Sequence, residues 1–139
     1  MHSEHLRNVQ WSWTAFGWFA AVAASSAILL AMEGVGLLGR SESADALWVT
    51  FAVVLGFAFG GFVAGYKAAA APILHGAAMA GASFVAWFLI NLTFGGFTTG
   101  LSAWEHLSVR TAALALLVQG GAAIAGCWLG YRYAPVRVE

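Results

Sequence analysis

Long apolar runs broken by short polar interruptions set the architecture of this chain. Four stretches, about 14–38, 46–66, 72–97 and 107–131, are almost continuously apolar. A helix needs about 20 apolar residues to cross a hydrocarbon core about 30 Å thick, and each stretch reaches that length. The runs do not alternate between polar and apolar positions, and a spanning barrel takes at least about eight strands. The pattern therefore predicts four transmembrane α-helices. Their connections, 39–45, 67–71 and 98–106, are short, so the expected fold is an all-α, four-helix up-down bundle with adjacent helices antiparallel. All of 1–139 forms one membrane domain. Within 1–13, Leu6, Val9 and Trp13 recur at helical spacing, which fits a short interfacial helix as well as a polar tail. Arg7 ahead of an apolar run resembles a signal peptide, but the run is too long for an h-region and is read as a retained helix.

Small residues add a second layer to this pattern. Seventeen glycines suggest close backbone contact, the usual route to association where lipid leaves little hydrophobic gain between helices. The second run carries Gly56-x-x-x-Gly60 and Gly61-x-x-x-Gly65. The fourth has Ala122, Gly126 and Gly130 on one stripe, with Gly121 and Ala125 beside it. In the third, Ala77 lies one turn before Gly81, and Ala78 one turn before Ala82. A weak duplication is also legible. The second run ends in Gly65-Tyr66-Lys67 after a Gly60-Gly61 pair and the fourth in Gly130-Tyr131-Arg132 after a Gly120-Gly121 pair, and Glu33 late in the first run corresponds to Asn91 late in the third. Two repeated hairpins about an axis along the membrane normal would give this arrangement.

Composition changes the picture chiefly by exclusion. Hydrophobic residues make up 61% of the chain and charged residues 9%, against about 25% charged in a soluble domain. So few charges cannot cover a water-soluble globule, and lipid must face most of the surface. Six scattered Lys and Arg residues form no basic groove, so no nucleic-acid partner is expected. Arg7, Lys67, Arg132 and Arg137 fall on the side holding both termini, against Arg40 and Arg110 on the other. The positive-inside rule then places the termini in the cytoplasm, with a bacterial inner membrane the expected location. Aromatic residues at the predicted boundaries, among them Trp11, Trp13, Tyr66 and Tyr133, agree with that layout.

Candidate chemistry is sparse. Glu33 is a carboxylate inside a span, and such groups usually face a bundle interior or a wet cavity. With Asn91 and Thr93 as neutral ligands and Arg110 nearby, it outlines an ion or ligand site at the outer mouth. The plainer alternative is a boundary carboxylate that reaches water or pairs with Arg110. Asn91 and Gln119 fit interhelical hydrogen bonding, and the sequon at 91–93 lies too deep for glycosylation. His75, followed by Gly76, has the composition of an axial ligand for haem or a chlorophyll-type pigment; the alternative is an imidazole bonded to a carbonyl or phosphate. His2, Glu4 and His5 make at most a weak metal site. Cys127 is alone, which excludes an intrachain disulfide, and lies among apolar residues. No hydrolase, HExxH, Cys-x-x-Cys or Walker pattern occurs, so no catalysis, no metal and no resident cofactor are expected.

The segment Gly60-Gly61-Phe62-Val63-Ala64-Gly65-Tyr66-Lys67-Ala68, followed by His75-Gly76 and Gly81, resembles small four-helix bacterial membrane proteins of uncharacterised function. The likeness covers about 25 residues and implies a four-span fold without an activity. Gly95-Gly96-Phe97-Thr98-Thr99 is similar to a motif of dual-topology fluoride channels, but Gly100 and Leu101 break it. The leading expectation is a non-catalytic membrane subunit packed against other membrane helices or against copies of itself. A small channel or transporter with a polar outer mouth, and a pigment- or haem-binding subunit using His75, are the alternatives.

Overall fold

The computed structural model describes residues 6–39, 41–95 and 109–135. A single 3-10 turn, Leu6–Asn8, leads into α1 (Trp11–Gly34), α2 (Glu42–Ala68), α3 (Pro72–Gly95) and α4 (Val109–Tyr133). No strand occurs among the described residues, and all four helices are long and apolar enough to cross a membrane. Residues 6–13, read as either a short interfacial helix or a polar tail, hold the 3-10 turn and the first residues of α1; 1–5, with His2, Glu4 and His5, lie outside the described residues.

Backbone chemistry at the helix ends explains the boundaries. α1 stops at Gly34, short of the expected 38, because Gly36 takes a left-handed φ of +70°. Gly36 N donates to Glu33 O and Leu37 N to Met32 O, the paired bonds of a Schellman cap. α2 starts earlier than its apolar run because Ser41 caps it: extended Ser41 accepts from Ala44 N through its side chain at 3.3 Å. Glu42 and Asp45 in the first turn complement the positive end of the helix dipole. Between α2 and α3, Ala69 and Ala71 both have positive φ, 50° and 39°, and Pro72 opens α3, where its missing N–H is no loss.

Packing departs from a simple chain-order bundle. α2 packs extensively against both α1 and α4, and α4 against α3, while α3 meets α1 and α2 only lightly. Consecutive α2 and α3 are therefore not the principal neighbours that the short connection suggests. Glycine placement is the reason. Gly56 and Gly60 lie directly on the α1 backbone around Gly17, Ala21 and Ser25, whereas Gly61 and Gly65 lie on the carbonyls of Ala123 and Cys127 in α4. One step in sequence turns about 100° around a helix, so the Gly60-Gly61 pair serves two different faces.

The α2–α4 seam is parallel and nearly two-fold. Gly126 and Gly130 rest on the carbonyls of Ala58 and Phe62 in return, so Gly61 and Gly65 correspond to Gly126 and Gly130. The same offset aligns the run ends Gly65-Tyr66-Lys67 and Gly130-Tyr131-Arg132, while the Gly60-Gly61 and Gly120-Gly121 pairs do not coincide in it. A Cβ at Gly120 would meet the Ala80 methyl at 3.1 Å, and one at Gly121 would meet nothing within 4 Å.

The bundle is inside-out relative to a water-soluble protein. Ala21, Ala64 and Ala123 are fully buried, and the largest fully buried side chains are Met79, His75 and Cys127. Phe16, Phe19, Phe51, Phe59 and Phe88 point outward. Burial is also polarised along the helices. In α1 nothing beyond Ser25 is buried, and in α2 nothing before Ala52. Among the described side chains, α3 has none buried after Ser83 and α4 none before Gly120. Among the described residues the four helices are thus most closely packed at the end holding residues 6–14 and 127–135, the clamped end, and more loosely toward the other.

Candidate functional site

At the clamped end, His75 ties the N-terminal segment to α3. The Gln10 backbone N–H can only donate, and it reaches His75 Nε2 at 3.1 Å. Nε2 is therefore the acceptor, so Nδ1 carries the proton and donates to Ala71 O at 2.9 Å. Gln10 Nε2 donates to Ala68 O at 3.2 Å, the last residue of α2. The imidazole is completely buried with both nitrogens engaged by the protein, which leaves neither lone pair nor space for a haem or pigment metal in this arrangement. Lys67 Nζ lies 5.9 Å from the Trp13 ring centroid just outside.

Where the helices begin to part, a second polar centre joins three of them. Ser83 Oγ on α3 donates to Met79 O at 3.2 Å, and accepts from Trp18 Nε1 on α1 at 2.8 Å and from Gln119 Nε2 on α4 at 2.7 Å. One donor and two acceptor positions saturate a hydroxyl. The Gln119 amide presents its NH2 to this hydroxyl, and Oε1 is left as an acceptor. Gln119 thus makes the interhelical bond that its sequence position suggested. Trp18, Ser83 and Gln10 were not singled out by sequence reasoning. A lone serine or tryptophan within a span carries no periodic signal, and only packing sets Trp18 beside Ser83.

Directly beyond this centre lies a cavity of about 530 Å³, walled by all four helices. Trp18, Val22, Phe57, Trp87, Ile90 and Leu116 make it mainly apolar, and Gln119 and Ser26 supply polar atoms. Ser25 also borders it, but its Oγ is turned toward Gly56 and buried without a hydrogen-bond partner. Among the described residues, no charged side chain lines the cavity.

Of the residues expected to form an outer-mouth site, only Glu33 and Thr93 have described side chains. Glu33 is exposed in the last turn of α1. Thr93 is exposed and returns its hydroxyl to Leu89 O at 2.7 Å. The side chains of Asn91 and Arg110, together with Arg40, Glu105 and His106, lie outside the described residues. No group of three metal-ligating side chains occurs among the described residues. No family model, curated protein or solved structure matches this chain.

Proposed function

We propose that this protein is a non-catalytic membrane subunit that packs its α3–α4 hairpin against helices of another membrane-embedded chain, a second copy being the first candidate. The observation carrying this reading is a small-residue face left over after the bundle has formed. Gly76 rests on Ile124, and Gly120 lies beside Ala80; these positions form the α3–α4 seam. One residue onward on each antiparallel helix, Ala77 and Gly81 on α3 and Gly121 and Ala125 on α4 fall on the same outer side. All four are exposed, and a Cβ at Gly81 or Gly121 would meet nothing within 4 Å. Exposed Ile73, Phe84, Leu117 and Trp128 rim them. A shallow surface between large side chains is the form that admits another helix backbone. In the two seams that α2 makes with α1 and α4, the same kind of surface already holds a helix.

Native mass spectrometry in mild detergent tests this reading. A species heavier than the 14.6 kDa chain is expected, and Gly81→Leu with Gly121→Leu should convert it to monomer without loss of helicity. A wild-type monomer with no co-purifying membrane protein would overturn the reading. The cytoplasmic placement of both termini and the bacterial inner membrane belong to the same proposal. They are supported by the excess of Lys and Arg at the clamped end and tested by reporter fusions at each terminus.

A further inference from the structure

We propose that the cavity beyond Ser83 is a binding site for a small, neutral, largely apolar molecule bearing one hydroxyl-type donor. Its volume of about 530 Å³ falls within the range of about 300–1,000 Å³ usual for small-molecule sites. Among the described residues the wall presents no charged side chain, and its apolar character favours an uncharged guest, which gives up little hydration on entry. Apolar contact comes from Trp18, Val22, Phe57, Trp87, Ile90 and Leu116. The directional element is Gln119. Its NH2 is committed to the saturated Ser83 hydroxyl, so its carbonyl Oε1 is the acceptor on offer. In an apolar surround an unmatched amide oxygen is costly, and a hydroxyl donated by a guest relieves it. A hydroxyl seated at Gln119 leaves the apolar body of the guest lying toward the open half of the bundle. Ser26 is a second polar contact, at an exposed position of the wall.

Photolabelling of the full chain in lipid nanodiscs tests the site. The probes are azioctanol and its hydrocarbon counterpart azioctane, compared at equal membrane concentration with peptide mapping. Azioctanol is expected to label cavity-lining peptides of α1 and α3 saturably, with n-octanol protecting them. Azioctane should label the same peptides at least about five-fold less, the ratio for loss of one hydrogen bond of about 1 kcal/mol. Gln119→Leu should weaken azioctanol labelling by a similar factor. Because that change also removes a bond to Ser83, Ala86→Phe provides an independent arm. It fills the cavity, leaves the Ser83 centre in place, and should abolish saturable labelling. Equal labelling by both probes would overturn the proposal in favour of a cavity that takes lipid acyl chains. Non-saturable labelling, or labelling unchanged by Ala86→Phe, would overturn the site altogether.

Discussion

At the scale of single residues, the bundle depends on a few positions where one atom decides the outcome. Gly126 faces the Ala58 carbonyl so closely that a methyl group has nowhere to go without parting α2 from α4. Gly126→Ala should therefore cost about 1–3 kcal/mol, as overpacking does. Gly34→Ala, in open space in the last turn of α1 and away from the α3–α4 face, should change stability by less than about 0.5 kcal/mol. Denaturation midpoints in mixed micelles compare the two directly. Ser83→Ala strips the acceptor from both Trp18 Nε1 and Gln119 Nε2. Membrane hydrogen bonds average about 0.6 kcal/mol and reach about 1.7, so the loss should be about 1–2 kcal/mol, measured in the same assay. His75 was legible as a residue of interest and its bond to a carbonyl was one of the expected alternatives. Its full burial was not legible, because that depends on Gln10 approaching across the fold.

At the scale of elements, caps set the limits of helices and glycine faces set their partners. The turn from α2 to α3 places two alanines in left-handed backbone. An L-residue with a Cβ pays about 1–2 kcal/mol there, while glycine adds about 0.4–1 kcal/mol of unfolded-state entropy. Ala69→Gly should therefore stabilise the protein by about 0.5–1 kcal/mol, seen as a higher denaturation midpoint. The glycine pairs of the second apolar run were visible in the sequence as contact faces. Their division between α1 and α4 follows from the 100° step between Gly60 and Gly61. Which helix meets which face required the three-dimensional arrangement, since α2 runs parallel to α4 and not along its chain neighbour α3.

For the whole molecule, the polarity of packing is the organising feature. Small residues close the end that holds the termini, and the other half surrounds a cavity whose described lining carries no charge. Cys127 lies completely buried in the closed half, in the α2–α4 seam against Gly65. It should resist a membrane-permeant maleimide in the native bundle and react once denaturant separates the helices. Mass spectrometry of the labelled chain reads this out, and fast labelling of native protein would contradict a closed seam.

Sequence alone determined the class of structure, because burying four long apolar runs with few charges leaves only spanning helices satisfied in lipid. It also determined that small residues mediate the contacts, whereas the Gly36 cap that ends α1 short of residue 38 emerged only in the folded chain. Only the tertiary structure decided the pairing of α2 with α4, the engagement of both His75 nitrogens and the meeting of Trp18, Ser83 and Gln119. Hydropathy records that a residue prefers lipid or protein to water; it does not record which neighbour it meets. Those neighbours are set by backbone approach at single glycines and by hydrogen bonds between helices far apart in the chain.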